Sequence, residues 1–180
     1  VITVLEVDEH DNKTVIYVDR SKNVEFRENI EKVRLIGKMF HPEVVLFETN
    51  TFAKSFTQEL RNVSDLNVHD FNTTRKRKEE IILSLQMNFE NEKIRLPYGN
   101  EESRRVSMTL LEELSMFAIT EKGKFEGIGA HDDMVMSLAL ANAATHTMSE
   151  TFILLDDMGL FEPVKTNKYS KPSGYLGINF

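Results

Sequence analysis

Cysteine is absent from this 180-residue chain. That excludes disulfides, thiolate metal sites and cysteine nucleophiles, and it fits a reducing compartment. No apolar run approaches the roughly 20 residues of a membrane span, and the first residues read as a strand rather than a secretory leader. There is no phosphate loop of the GxxxxGK[ST] type, no zinc-ligand spacing and no Ser-His-Asp arrangement. No internal repeat or low-complexity linker breaks the chain. Bases are in deficit, 22 against 29 acids, for a net charge of −7. A nucleic-acid binder of this balance must gather its bases on one face. What is present is ordinary for one folded core: 41% hydrophobic and 28% charged residues over a length that suits a single domain.

The pattern alternates strands and helices. Val1 to Val7 and Thr14 to Val18 are β-rich, and the polar stretch Asp8 to Lys13 between them predicts a hairpin. Val24 to Phe40 carries Phe26, Ile30, Val33, Ile36 and Phe40 at helical spacing, and Pro42 ends it. Val44 to Phe47 is a short continuous apolar run, which suits a strand covered on both faces. Phe52 to Arg61 reads as a helix and Leu66 to Phe71 as a brief strand. Thr74 to Asn91 reads as a long helix burying Ile81, Ile82, Leu85 and Phe89, followed by a short extended piece, Ile94 to Pro97. Ser103 to Met116 is a further helix, with Val106, Leu110, Leu114 and Phe117 on one face. Phe117 to Glu126, with Lys122-Gly123-Lys124 as its turn, predicts a second hairpin, and Asp132 to Met148 the last strong helix. Beyond Asp156 the pattern dissolves, and Pro163, Pro172, Gly174 and Gly177 mark an extended tail. The order predicts an α/β layered domain with a central mixed sheet flanked by helices.

Two acidic features carry the chemistry. Glu48 follows directly on the buried run Val44 to Phe47, at the carboxyl end of a central strand, where open α/β sheets place their active sites. A carboxylate there needs a cation or a metal as partner; the plainer reading is a helix cap or an ion pair with Lys54. Asp132 and Asp133 open the last helix behind Gly127, Gly129 and His131. An acid at a helix start is commonly an N-cap, but a cap needs one acid, and here two stand beside a histidine. The helix they open is rich in Ala, Met and Ser, as it would be if packed closely on a sheet. Hard oxygen ligands suit Mg²⁺ or Mn²⁺, and two such ions about 3.5–4 Å apart clamp the attacking and leaving oxygens of a phosphodiester.

Val44 to Asn50 (VVLFETN), Thr74 to Pro97 with its basic start, and above all His131-Asp132-Asp133-Met134-Val135-Met136-Ser137-Leu138 resemble the C-terminal nuclease domain of tailed-bacteriophage large terminase subunits. The resemblance covers roughly Val1 to Met148. It implies a ribonuclease H-like nuclease domain over residues 1–150, with 151–180 a C-terminal tail packing on or extending from it. It implies a divalent-metal-dependent endodeoxyribonuclease that cuts concatemeric viral double-stranded DNA during genome packaging. Glu48, Asp133 and Asp132 would be catalytic and hold two Mg²⁺ or Mn²⁺ ions. His131 would hydrogen-bond a metal ligand or make a structural contact. The family's first acid lies on a strand upstream of one like Val1 to Val7, while Asp8 and Asp11 lie in the hairpin turn. That strand and its aspartate are therefore expected ahead of Val1, and a form lacking them is expected to bind metal poorly and cut little. The resemblance also implies an N-terminal ATPase domain, a portal ring and a small terminase subunit as partners, no membrane, and the host bacterial cytoplasm as location.

Arg75-Lys76-Arg77-Lys78 is the densest basic run. Bases at a helix start oppose the helix dipole, so phosphate contact is one reason for them. Local ion pairs with Glu79 and Glu80 are the other. Arg104 and Arg105, with Lys122 and Lys124, would extend a groove if they share a side. No aromatics are interleaved with these bases, which fits backbone tracking of duplex DNA better than a single-strand stacking platform. Two rival readings stand beside the terminase nuclease. One is another nuclease of the same fold, of junction-resolvase or transposase type; the other is an inactive domain that docks on DNA or a portal ring.

Overall fold

The polar stretch after Val7 turns the chain between β1 (Ile2–Val7) and β2 (Lys13–Asp19). In the structure, a computed structural model that describes residues 1–22, 24–48, 53–119, 125–127, 132–146 and 173–178, Asp8 organises that turn. Its Oδ1 accepts the amides of His10 and Asn12, each at 2.9 Å. The Asn12 side chain and amide hydrogen bonds pull the Asp8 carboxyl down to about 2, and Asp11 takes a left-handed φ of 61°.

The elements that follow are α1 (Phe26–Phe40), β3 (Pro42–Glu48), α2 (Ala53–Val63), β4 (Val68–Phe71), α3 (Arg75–Glu90) and β5 (Ile94–Arg95). Then come α4 (Glu101–Met116), β6 (Phe117–Ile119), β7 (Phe125–Gly127), α5 (Asp133–His146) and β8 (Ser173–Ile178). Pro42 acts as expected. The helix before it closes at His41, which takes a left-handed φ of 46° and donates its amide to the Gly37 carbonyl. Proline then opens β3, where its missing N–H costs least. Thr74 caps α3 by accepting the Arg77 amide, and Asn100 and Ser103 form a capping box at the start of α4. β6 and β7 pair antiparallel as the second hairpin predicted; its turn lies outside the described residues.

The main sheet has the order β4-β3-β8-β1-β2-β5. β1 is antiparallel to β2 and β8, whereas β3 is parallel to β4 and β8, so the sheet is mixed as expected. β8 comes from the stretch to which sequence reading gave no element, yet it is a central strand. Strand alternation divides the core. Val45 and Phe47 of β3, Val4 of β1 and Leu176 of β8 pack with Ile30, Val33 and Ile36 of α1 and Phe56 and Leu60 of α2. Val44 and Leu46, with Leu5 and Val15, face α3, α4 and α5. Of the predicted helix faces, Phe26 is the exception. It is 48% exposed and lies edge-on against Phe56 at the rim, with ring centroids 5.5 Å apart.

α5 lies directly on the sheet. Ten of its residues are buried, from Met134 to Ala144, and an all-round apolar helix is one covered on every side. Gly177 of β8 makes the close approach possible. A Cβ there would fall 2.2 Å from the Ser137 carbonyl oxygen and 2.3 Å from the Ala141 nitrogen. Ser137 Oγ sits 2.9 Å from both the Gly177 carbonyl and Thr3 Oγ1, joining helix to sheet through polar atoms that are otherwise buried. Among the described residues, no helix is long and apolar enough to cross a membrane.

Candidate active site

One end of the sheet gathers the carboxyl ends of β2, β3, β4 and β8 and the amino end of β1. The register fixes this: Asp19 is opposite Ile2, Ile2 opposite Ile178, Ile178 opposite Phe47, and Glu48 opposite Phe71. α5 begins at the same end. Ser137, one turn into the helix, already lies over Thr3 and Gly177 near the start of β1 and the finish of β8, so Asp133 stands at the sheet's rim. Asp133 lies close enough to the start of β1 to act electrostatically on the Val1 nitrogen.

Glu48 ends β3 half-buried. Residues two apart on a strand share a face. Val44 and Leu46 pack under α5, so Glu48 follows them onto the α5 side. Phe71, its neighbour on β4, packs against that same core. Among the described residues the Glu48 side chain has neither a hydrogen bond nor an ion pair, and the pairing with Lys54 is not formed. Glu48 and the Asp132-Asp133 pair therefore share one face and one end of the sheet, although 84 positions separate the nearer two in sequence.

The helix-cap reading of the aspartate pair can be tested directly. A capping Asp132 would accept the amide of Met134 or Val135 through its side chain. Instead its Oδ2 accepts from Lys78 Nζ at 2.9 Å, both side chains being about a quarter exposed. Its backbone carbonyl accepts the Met136 amide as the first helical bond. The Met134 amide goes to Glu113 Oε2 of α4, also at 2.9 Å. The other oxygen of Glu113 accepts from Arg20 Nη2, just past β2. Asp132 is thus an ion-pair partner, and the cap comes from a distant helix. His131 lies outside the described residues.

The basic run divides. Lys78 turns inward to Asp132 and over the Phe117 ring, and Arg77 lies over Phe71 with its guanidinium carbon 5.3 Å from the ring centroid. Arg75 and Lys76 face outward and meet Glu79 and Glu80 one turn on, at 3.0 and 3.9 Å. Such exposed pairs are worth little and leave both bases at the surface. Arg104 stacks over Tyr98, and Arg105 pairs with Glu102 at 2.7 Å. Arg105 and Thr109 of α4 also line a cleft of about 430 Å³ with Asp19, Arg20, Ser21 and Met134, on the α4 side of the start of α5. At its edge Asp19 is held below its usual range. Burial would raise it, but hydrogen bonds from Lys32 and Ser21 outweigh that.

Sequence reasoning missed Glu113. Its signal was a carboxylate three positions after Leu110, on the face otherwise marked by Val106, Leu110, Leu114 and Phe117. Among the described residues no three potential ligands of the His, Cys, Asp or Glu kind cluster closely enough to hold a metal.

No family model and no curated protein matches this chain. Among solved structures it is similar to the large terminase nuclease from thermophilic phage G20c. The TM-score is 0.62 to the crystal structure with bound cobalt and 0.63 to that with bound magnesium. In both cases the identity is 21%, over 79% of this chain and 74% of that one. The likeness is one of fold: the mixed sheet flanked by helices is the ribonuclease H-like architecture that the family resemblance implies, and it is shared with a terminase nuclease domain.

Proposed function

We propose that this chain is the nuclease domain of a phage large terminase, a divalent-metal-dependent endodeoxyribonuclease that cuts concatemeric viral double-stranded DNA during packaging. The observation that carries this reading is the placing of Glu48 and Asp133 on one face and at one end of the sheet, with the capping of α5 taken over by Glu113. A strand-end carboxylate without a protein partner is expensive to hold half-buried, and a cation offsets that cost.

The donor chemistry fits a hard ion. Glu48 and Asp133 would hold it through carboxylate oxygens, which suit Mg²⁺ or Mn²⁺. Asp132, paired with Lys78 through Oδ2, would stand beside them as a further carboxylate. Held by these carboxylates, a divalent ion would supply Lewis acidity, favouring ionisation of a water and offsetting negative charge on a departing oxygen. The rest falls to the chain itself. Lys78 holds Asp132 and keeps the start of α3 against the start of α5. Leu46, Phe71 and Met134, adjacent to these acids in the fold, belong to the apolar core on the α5 side of the sheet. Arg75, Lys76, Arg104 and Arg105, all exposed, would track phosphates along the duplex. The same reading gives the domain a packaging ATPase, a portal ring and a small terminase subunit as partners in the host cytoplasm.

Nicking of supercoiled plasmid in Mn²⁺ tests the reading. It compares the chain, a form extended upstream of Val1, and that form with Asp133→Asn or Glu48→Gln. The extended wild type should nick, with each substitution costing at least about a hundredfold, the scale of a lost charge-stabilising group. Equal cutting by wild type and the Asn variant would remove Asp133 from the site. Preference for four-way junctions over linear duplex would move the chain to the resolvase class.

A further inference from the structure

We propose that Glu113 is the positioning residue that sets Asp133 at the rim of the sheet; the inference rests on the nuclease reading of that site. The first amides of a helix have no partner inside it, and the N-cap side chain normally supplies one. At α5 the N-cap side chain is drawn away to Lys78. The acceptor for the Met134 amide arrives from α4, 21 positions earlier in the chain. Met134 adjoins Asp133, so this bond fixes the backbone one residue from the carboxylate that would bind metal. Glu113 is only 4% exposed, and its second oxygen is held by Arg20. One carboxylate thereby ties together the end of β2, the body of α4 and the first turn of α5.

The placement is a poor choice for burial alone. The α4 face around Glu113 is apolar, with Val106, Leu110 and Leu114 packed into the core beneath α5. A leucine would fill that position without the desolvation cost of a charge. What only a carboxylate supplies is two directed bonds, one to a helix-start amide, where negative charge also suits the helix dipole, and one to a guanidinium. Both bear on where α5 begins. The arrangement also separates two tasks that a helix-start aspartate usually combines. Capping goes to Glu113, so the position of Asp133 does not depend on whether the aspartates are engaged with an ion.

In the form extended upstream of Val1, Glu113→Ala and Glu113→Gln can be compared with wild type by hydrogen exchange of the α5 amides and by Mn²⁺ titration of plasmid nicking, at a temperature where each is folded by circular dichroism. The Ala variant should speed exchange at Met134 while Leu138 to Ala141 stay protected. It should also raise the Mn²⁺ concentration for half-maximal nicking about 10- to 100-fold, the scale for a residue acting through a metal ligand. The Gln variant keeps one carbonyl oxygen for the Met134 amide but turns an NH2 donor toward the Arg20 guanidinium, so it should recover both effects only in part. If the Ala variant does not fold, Arg20→Met, which frees the carboxylate, should shift the midpoint in the same direction by a smaller factor. A normal Mn²⁺ midpoint in a folded Ala or Met variant would overturn the proposal, as would unchanged exchange at Met134 in the Ala variant. If Asp133→Asn nicks like wild type, the nuclease reading fails instead, and the exchange measurement alone decides whether Glu113 sets the start of α5.

Discussion

Replacing Gly177 by alanine tests how α5 is seated. The added Cβ would lie 2.2 Å from the Ser137 carbonyl oxygen, 2.3 Å from the Ala141 nitrogen and 2.9 Å from the Ala141 Cα. All three are backbone atoms of one helix, so no side chain can swing aside. Relief requires α5 to lift from the sheet, or β8 to sink, by about 1 Å, and a gap of that size forfeits a quarter to a half of each contact's attraction. Leu138, Ala139, Leu140 and Ala141 are all fully buried and would lose contacts together. Overpacking costs about 1–3 kcal/mol, and this site belongs at the upper end, about 3 kcal/mol. For a domain of this size that lowers the melting temperature by roughly 6–12 °C. Lifting α5 also moves Asp133, and a 1 Å misplacement costs on the order of a hundredfold in rate. The assay is thermal unfolding followed by circular dichroism, with plasmid nicking measured in parallel. Gly99→Ala is the control, because a Cβ there meets nothing within 4 Å. A Gly177→Ala protein that melts within about 2 °C of wild type would refute the placing of β8 beneath α5.

Lys78→Met removes the cation from a pair whose members are 24% and 28% exposed. It should cost about 1–2 kcal/mol in urea denaturation, between the values for surface and buried pairs, and a change near zero would mean that Lys78 serves only DNA. Arg75→Ala with Lys76→Ala should leave stability within about 0.5 kcal/mol but reduce the slope of log affinity for DNA against log salt by about 1.8. An unchanged slope would exclude these two bases as phosphate contacts. Burial, then the Arg61 charge, lowers the pKa of His69; burial, then Lys13, lowers that of His146. Because the folded values lie below the unfolded one, the unfolded chain binds more protons, and this share of stability is intact above the unfolded pKa and lost as pH falls through the window below about 6.5. The melting temperature should therefore drop between pH 7 and pH 5, less so in His69→Gln with His146→Gln, and a rise on acidification would contradict the assignment.

Local signals carried most of the architecture. The run Val44 to Phe47 reads as a doubly covered strand because four successive apolar residues supply both core faces, and it is one. The small, apolar helix after Asp132 reads as packed on a sheet, and it is buried on nearly every side. Residues 173–178 escaped because glycine and proline are read as breakers, whereas Gly177 is small for the sake of a helix crossing it. That requirement is set by α5, some 40 residues earlier, and leaves no periodic trace in its own stretch. The acidic site was half legible. Glu48 and the aspartate pair stand out because carboxylates mark the ends of apolar segments there, but their surroundings do not. Lys78 meets Asp132 and Glu113 caps the helix start through contacts 54 and 21 positions apart in sequence. The basic run was legible only in part for the same reason: charge pattern cannot say which of four consecutive bases turns inward, and Lys78 does.

The central claim is that Glu48 and Asp133 hold a common divalent ion at the rim of the sheet. Anomalous diffraction from Mn²⁺-soaked crystals of the form extended upstream of Val1 tests it most directly. The account predicts a peak within coordination distance of both carboxylates, abolished in Asp133→Asn. Carboxylates directed to separate regions, or manganese bound only elsewhere on the surface, would contradict it.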